Sequence, residues 1–220
     1  MKKRTVAVAG ATGLVGGRLV KKLLEDPSCE CVIALVRRPL GLTHPKLQER
    51  LVDFAALPAD ALGVEDIYCA LGTTIRKAGS QEAFALVDRT AVAALARAGA
   101  AAGARRFLLV SSLGADPRSR VFYNRIKGEA EEDVRANPFR GVFIFRPSVL
   151  AGERDEVRMG ESIGRFGARL VSLVPGLRRL RPVDAEVLAA AMIAVARQDL
   201  AGAHVFESET IESLAHQAAS

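Results

Sequence analysis

A tyrosine and a lysine four residues apart, Tyr123 and Lys127, have the side-chain types needed for proton transfer. On a helix, this spacing places the phenol and the ammonium on the same face. A lysine charge about 4 Å away contributes up to roughly 4 kcal/mol at an effective dielectric of about 20, which makes the phenol a stronger acid. The pair is therefore a candidate general acid, although the same spacing is also common on solvated helix surfaces.

Two adjacent serines, Ser111 and Ser112, lie shortly before this tyrosine. They end the run Phe107–Ser112, whose apolar residues predict a strand. A hydroxyl from Ser112, or from Ser111, would hold a substrate oxygen beside the phenol of Tyr123. Serine, tyrosine and lysine together form the candidate catalytic set.

Three glycines, Gly10, Gly13 and Gly16, follow a four-residue apolar run near the start of the sequence. Glycine lets the backbone approach a pyrophosphate closely, and the helix that follows offers free N–H groups and a positive dipole end. The spacing G-x-x-G-x-x-G differs from the commoner G-x-G-x-x-G, and a tight turn without a ligand also needs glycine. The position between strand and helix favours dinucleotide binding. The predicted pyrophosphate-binding residues are Gly10, Ala11, Thr12, Gly13, Leu14, Val15 and Gly16.

The choice of cofactor is predicted by the residue about twenty positions beyond this turn. An acid there would bind the ribose of NAD and repel a 2′-phosphate, but the sequence has Arg37 and Arg38 after the apolar run Cys31–Val36. Because arginine matches phosphate geometry, this predicts NADP(H), against the alternative of two solvated arginines. Asp53 follows a weaker strand, Glu49–Val52, and could accept from an adenine amino group or cap a loop.

Apolar strands and amphipathic helices alternate along the chain. Strands are predicted at 5–9, 31–36, 49–52, 66–71, 107–112, 142–145 and 203–207, and helices at 14–24, 81–102, around 123–127 and at 183–198. The run Cys31–Val36 is apolar on both faces, as expected for a central strand of a parallel sheet. Residues 212–220 show no pattern that predicts an element.

The composition is that of a globular protein. Half of the 220 residues are hydrophobic, enough for one core, so we expect a single domain over residues 1–220. The apolar runs are too short for a membrane span, and Met1-Lys2-Lys3-Arg4 leads into a strand without the apolar region of a signal peptide, which predicts a cytoplasmic protein. Three cysteines and three scattered histidines favour reduced thiols and no metal site.

The net charge of +6 indicates an anionic partner. Aromatic residues make up 5% of the chain and the arginines are spread over several segments, so no nucleic-acid platform is expected. An anionic cofactor is the simpler explanation.

These motifs together resemble the short-chain dehydrogenase/reductase family, in its atypical, extended-like group. The resemblance is carried by the glycine turn, Ser111-Ser112, Tyr123-x-x-x-Lys127, 145–150 (FRPSVL) and 182–184 (PVD). A more specific block, 71–79 (LGTTIRKAG) with 87–89 (VDR), resembles the Tat-interacting-protein oxidoreductase branch. The resemblance implies a doubly wound parallel sheet of Rossmann type with NADPH along its carboxyl edge.

The resemblance also implies a role for each matching residue. It gives the 10–16 turn to the pyrophosphate, Arg37 and Arg38 to the 2′-phosphate, Leu71 and Gly72 to the adenosine side, Tyr123 to proton donation, Lys127 to the nicotinamide ribose, and Leu150 and Arg158 to the far end of the cofactor. The chain departs from the family pattern in lacking a relay asparagine at 70–74, and only about seventy residues follow Leu150.

The C-terminal region offers little from which to predict a substrate. Residues 151–182 are expected to form a lid or substrate-side insertion. Within them, apolar residues recur at helical spacing: Ile163, Phe166, Leu170 and Leu173. This pattern fits a helix packed on the sheet with solvated arginines, a lid, or a subunit or membrane contact. The expected function is NADPH-dependent reduction of a small-molecule carbonyl substrate. An NADPH-binding regulatory protein with little turnover and an epimerase or dehydratase are the alternatives, and a homodimer is left open.

Overall fold

Strands and helices alternate along the computed structural model, which describes residues 3–57, 62–151 and 182–219. The strands are β1 (Arg4–Ala9), β2 (Cys29–Val36), β3 (Leu47–Leu51), β4 (Asp66–Cys69), β5 (Arg106–Val110), β6 (Gly141–Arg146), β7 (Leu150–Ala151), β8 (Val183–Asp184) and β9 (Gly202–Glu207). The helices are α1 (Leu14–Glu25), α2 (Ile75–Ala78), α3 (Gln81–Ala85), α4 (Ala91–Ala101), α5 (Phe122–Arg135), α6 (Ala185–Arg197) and α7 (Ser208–Ala219).

The main sheet of the described residues has seven strands in the order β3-β2-β1-β4-β5-β6-β9. Every neighbouring pair in it is parallel. The short strands β7 and β8 pair separately, also in parallel. The prediction of a doubly wound parallel α/β sheet is therefore confirmed.

Both faces of the central strands are largely buried, as their apolar character requires, whereas the edge strands β3 and β9 are partly exposed. In β1, Val6 and Val8 point to a core formed with α1, α6 and α7. Ala7 and Ala9 point to the opposite core, which includes residues of α4 and α5. This alternation follows from the two-residue period of a strand.

The strand order reverses between β1 and β4, because β2 and β3 lie on one side of β1 and β5 and β6 lie beyond β4. At such a reversal, the loops that follow the two central strands turn in opposite directions and leave a crevice at the carboxyl edge of the sheet. The loop after β1 holds the glycine turn, and the loop after β4 runs from Ala70 to Thr74.

The predicted helix over 81–102 contains an interruption. Ser80 caps it as expected, accepting a hydrogen bond from the N–H of Ala83, and Gly103 follows its end with a φ of +79°. Between α3 and α4, however, the backbone forms one π-helical turn, Leu86–Thr90. A turn of this type carries an extra residue, which changes the direction of the side chains that follow.

The C-terminal helix α7 was not predicted from the sequence. It begins at Ser208 and covers most of the stretch for which no element was assigned. Ile211 is fully buried, and Leu214 and Ala215 pack against the same core. Their spacing of three and four residues was the signal that would have identified this helix.

Candidate functional site

The glycine turn joins β1 to α1 and touches the loop after β4. Gly10 has a φ of +85°, and a Cβ atom there would overlap the carbonyl oxygen of Ala70. A Cβ atom on Gly16 would overlap the carbonyl oxygen of Gly10. Glycine at 10 and 16 is therefore required by the packing of the turn itself, with or without a ligand.

The start of α1 is suited to an anion. Gly13 is the N-cap residue and supplies no side-chain acceptor to the first turn, which also contains no acidic residue. The N–H groups of a first helical turn have no partner within the helix, and the helix dipole favours negative charge there. The first turn of α1 thus offers backbone donors at the mouth of the crevice, whereas the N–H of Gly13 already donates a hydrogen bond of 2.8 Å to the carbonyl oxygen of Gly10.

Arg37 and Arg38 lie just beyond β2, next to β1 at the same edge of the sheet. Both are exposed, and within the described residues no acidic side chain pairs with either guanidinium group. Asp53 follows β3 and is exposed as well; its backbone carbonyl accepts a hydrogen bond of 3.1 Å from the N–H of Ala56. The two arginines and Asp53 thus all follow strands at the carboxyl edge of the sheet.

Tyr123 and Lys127 lie on α5, and their surroundings differ. Tyr123 is half-buried, with its ring centroid 5.4 Å from that of Phe84. The side chain of Lys127 is 8% exposed, and its Nζ lies 2.8 Å from Oδ1 of Asp88. Burial alone would lower the pKa of Lys127, but the charge of Asp88, with smaller contributions from Tyr123 and Cys69, raises it above its ordinary value.

The loop after β4 connects this pair with the glycine turn. A Cβ atom on Gly72 would lie 3.3 Å from Oδ1 of Asp88 and 3.6 Å from Nζ of Lys127. Since the same loop approaches Gly10 at Ala70, this one loop lies between the glycine turn and the ammonium on α5. Leu71 packs against the core on the side of α4 and α5.

The two serines after β5 are not equivalent. Ser111 is buried, and its hydroxyl donates a hydrogen bond of 2.6 Å to Oε1 of Glu131. Glu131 is itself fully buried and accepts hydrogen bonds of 2.8 and 2.6 Å from Arg146. Ser112 is half-buried, and within the part of the chain that the structure describes its hydroxyl makes a single long contact, of 3.4 Å with the carbonyl oxygen of Leu113. Ser112 is therefore the serine whose hydroxyl is available to a ligand.

Asp88 is the residue that reasoning from the sequence missed as part of the site. It lies on the π-helical turn, and Oδ2 accepts a hydrogen bond of 2.8 Å from the backbone N–H of Thr73. The local signal was an acidic residue within an apolar, alanine-rich helix. Its contact with Lys127, thirty-nine residues later, depends on the tertiary fold.

The structure says less about the other predicted site residues. Leu150 is buried in β7, whereas Arg158 and residues 152–181, which include the proposed lid helix, lie outside the described residues. Cys29, Cys31 and Cys69 are free, and burial raises the pKa of the Cys29 thiol to about 11 and that of Cys69 to about 12. In the described ranges, no cluster of His, Cys, Asp or Glu could hold a metal ion, and no helix is long and apolar enough to cross a bilayer.

Known proteins share both the sequence and the fold. The NAD(P)H-binding family model matches residues 10–171. Protein fmp52, mitochondrial, from Aspergillus fumigatus is 35% identical over 198 residues, covering 86% of this chain and 85% of that protein. Protein HTATIP2 from Rattus norvegicus is 37% identical over 176 residues, covering 76% and 72%.

Solved structures with the same fold contain bound NAD. MoeE5 in complex with UDP-glucuronic acid and NAD gives a TM-score of 0.71 at 21% identity, covering 97% of this chain and 81% of that one. WbmH of Bordetella bronchiseptica in complex with NAD+ gives 0.68 at 17% identity, covering 98% and 79%. The fold is that of NAD(P)-binding Rossmann-type proteins. The chain belongs to the NAD(P)H-binding family, in the atypical short-chain dehydrogenase/reductase branch that includes HTATIP2 and Fmp52, which confirms the resemblance.

The expectation of a cytoplasmic location is wrong. Relatives from Aspergillus fumigatus, Aspergillus clavatus and Eremothecium gossypii, which are 33–35% identical to the chain, are described as mitochondrial proteins. The prediction relied on the lack of a secretory signal, and that lack does not distinguish the cytoplasm from an organelle.

Proposed function

We propose that the protein is an NADPH-dependent oxidoreductase that reduces a small carbonyl compound. The observation that carries the proposal is that one loop, 70–72, lies close to Gly10 at its start and close to Lys127 at its end. A dinucleotide bound at the glycine turn would extend along this loop towards α5. Its nicotinamide end would then lie near the phenol of Tyr123.

The residues at the crevice fit NADPH. The first turn of α1 has backbone donors without a side-chain cap or an acidic neighbour, which suits a pyrophosphate. Arg37 and Arg38 are exposed at the same edge without acidic partners among the described residues, which suits a 2′-phosphate better than a bare ribose. Leu71 and Gly72 border the adenosine side, and Leu150 and Arg158 are assigned to the far end by the family resemblance.

The reaction divides between the cofactor and the protein. When bound, NADPH supplies the hydride for the carbonyl carbon. Tyr123 donates its phenolic proton to the carbonyl oxygen as negative charge develops there. The Ser112 hydroxyl donates a hydrogen bond to the same oxygen and holds it beside the phenol.

Lys127 has two functions in this proposal. Its positive charge stabilises the phenolate that remains on Tyr123 after proton transfer. An ammonium has three N–H donors, and the contact with Asp88 uses one, so the others can bind hydroxyls of the nicotinamide ribose.

The test is NADPH oxidation by the purified protein with a panel of aldehydes, ketones and quinones. We expect Tyr123→Phe to lower kcat at least about 100-fold, because it removes the proton donor, and to leave NADPH affinity within a few fold. The matched control is Tyr68→Phe, since Tyr68 is the other of the two tyrosines and is fully buried, and its hydroxyl has no hydrogen-bond partner in the described ranges. This control should keep full activity.

Other outcomes would contradict the proposal and identify a rival. Tight NADPH binding with no turnover of any compound would indicate a regulatory or interaction protein. Conversion of a nucleotide sugar without net consumption of the cofactor would indicate an epimerase or dehydratase that uses the same residues.

A further inference from the structure

Asp88 is a fully buried carboxylate that connects three separate segments. It lies on the π-helical turn between α3 and α4 and its side chain is 0% exposed. Oδ1 lies 2.8 Å from Nζ of Lys127 on α5, and Oδ2 accepts a hydrogen bond of 2.8 Å from the N–H of Thr73 after β4. Each carboxylate oxygen therefore has a partner from a different part of the site.

Asp88 pairs with the ammonium of Lys127, and burial alone would disfavour the charged form of this group. An unpaired charge in the protein interior is costly, and a buried lysine usually responds by losing its proton. The titratable groups that act on Lys127 are Asp88 on the π-helical turn, Tyr123 on α5 and Cys69 on β4. Of the three, Asp88 has the largest effect in favour of the charged form.

The π-helical turn explains how an acidic residue of this helix reaches α5. An extra residue in one turn rotates the following side chains by about 100° relative to an uninterrupted α-helix. Here the turn buries Asp88, whereas Leu86 at its start is 61% exposed. Arg89, the next residue, points to the surface of α5 instead and forms ion pairs there with Glu129 and Asp133.

We propose that Asp88 is a positioning residue of the active site, whose carboxylate fixes the ammonium of Lys127 next to Tyr123 and keeps it charged. This inference rests on the proposed reductase function. Asp88 acts through Lys127 and does not touch the substrate. The negative charge of Asp88 stabilises the ammonium, so Lys127 keeps its proton up to a higher pH than it would without this partner.

The first test is the pH dependence of kcat for Asp88→Asn, which keeps the shape of the side chain and an acceptor for Thr73. Reduction requires Tyr123 and Lys127 in their protonated forms, so kcat falls as the pH rises. Removal of the carboxylate charge should move this fall to lower pH by about one unit or more, because an opposite charge in contact shifts a titration by that amount. An alkaline limb at the wild-type position would overturn the proposal.

Asp133→Asn is the matched control for this measurement. Asp133 lies on the same helix as Lys127 and pairs with Arg89 at 2.8 Å, so the substitution removes one carboxylate from the same pair of helices without touching Lys127. Its alkaline limb should coincide with that of the wild type. An equal shift in both variants would mean that the general charge of this region is responsible, which would also overturn the proposal.

A second measurement keeps the role of Asp88 testable if no carbonyl substrate is reduced. NMR of protein labelled with ¹³C at lysine Cε, with Lys127→Met to assign the signal, reports whether Lys127 is charged. In the wild type its titration should lie above that of exposed lysines, and in Asp88→Asn below it. Failure of turnover with this result would reject the reductase and retain the ion pair, whereas an unchanged Lys127 titration would reject the role of Asp88.

A double variant covers the case in which Asp88→Asn fails to fold. Removal of one partner leaves a buried charge without its counterpart, whereas removal of both does not. Asp88→Asn/Lys127→Met should therefore unfold at a higher temperature than Asp88→Asn. If the double variant were equally or more unstable, Asp88 would have a packing role that does not depend on Lys127.

Discussion

Adjacent residues in this protein have different functions because tertiary contacts, and not sequence position, determine their partners. Ser111 donates to the buried Glu131, twenty residues later in the chain, whereas Ser112 has no buried acidic acceptor among the residues that the structure describes. The sequence identified both serines as candidates but could not rank them, since Glu131 reaches Ser111 only when α5 packs on the sheet.

The two serines should therefore respond differently to substitution. We predict that Ser112→Ala lowers kcat by about 100-fold with little change in stability, because a donor to the substrate oxygen is lost. Ser111→Ala should chiefly lower the free energy of unfolding, by about 1–2 kcal/mol, since Glu131 loses a buried donor. Steady-state kinetics and urea unfolding measure the two effects. A larger loss of kcat in Ser111→Ala would assign the catalytic hydroxyl to Ser111.

Arg37 is the residue on which the predicted cofactor preference depends. Arg37→Ala should weaken NADPH binding about 10- to 100-fold, because a charge-assisted contact contributes roughly 1.5–3 kcal/mol, and should leave NADH binding nearly unchanged. Fluorescence titration with both nucleotides measures the difference. Arg105→Ala is the control, since Arg105 is exposed at the opposite edge of the sheet, immediately before β5. Equal losses for NADPH and NADH would contradict the assignment.

At the level of elements, the contact between the glycine turn and the loop after β4 is the feature that fixes the crevice. The turn was recognisable from three glycines at regular spacing, because glycine is needed wherever backbone meets backbone. The glycine pattern did not reveal that Ala70 is the backbone it meets. Most strand bounds and several helix bounds were predicted within a few residues for the same local reasons. The helix α7 was missed, and so was the π-helical turn, since α3 and α4 have one continuous helical pattern.

Two neighbouring glycines of α1 provide a test of this turn. A Cβ atom on Gly16 would overlap Gly10, so Gly16→Ala should displace α1, lower the free energy of unfolding by about 1–3 kcal/mol and reduce NADPH affinity. Gly17→Ala is the matched control, because its Cβ would lie 3.5 Å from the carbonyl oxygen of Ala11, an ordinary contact. It should be neutral or stabilising by up to about 1 kcal/mol. Thermal unfolding with and without NADPH measures both, and equal behaviour of the two variants would contradict the role of Gly16.

For the whole molecule, the order of apolar runs was enough to predict the parallel sheet, since both faces of each central strand must be covered by helices. The site was predictable only in part. Residues of one element, such as Tyr123 and Lys127, are related by helical geometry, whereas the partners Asp88 and Glu131 come from distant parts of the chain. The cellular location could not be obtained at all, because it was argued from a missing signal.

Stability should depend on pH through Asp26, which ties α1 to the start of β1 and the end of α6. Burial alone would raise the pKa of this carboxyl, but hydrogen bonds from Ser28 and the charge of Arg197 hold it below its ordinary value. A lowered pKa in the folded state adds stability above the unfolded value of about 3.9, and this stability is lost as the pH falls through the folded value.

Asp26→Asn removes this contribution. We expect the variant to be less stable than the wild type by about 2 kcal/mol at pH 7, with the difference shrinking as the pH falls below about 4. Urea unfolding from pH 7 to pH 2 measures it. Asp199→Asn is the control, since Asp199 is 83% exposed and pairs with Arg140. A constant difference at all pH values would show that shape, and not charge, matters at Asp26.

The contact between Gly10 and the carbonyl of Ala70 also bears on how this protein could be redesigned. At this point the backbone of Gly10 packs directly against the backbone of Ala70, so a side-chain substitution cannot widen the crevice without separating β1 from β4. Variant libraries aimed at a new coenzyme should therefore keep residues 10, 16 and 70–72 fixed and randomise positions 37 and 38, just beyond β2. Because Arg37 and Arg38 are exposed, we expect changes there to alter coenzyme preference and to leave the scaffold intact.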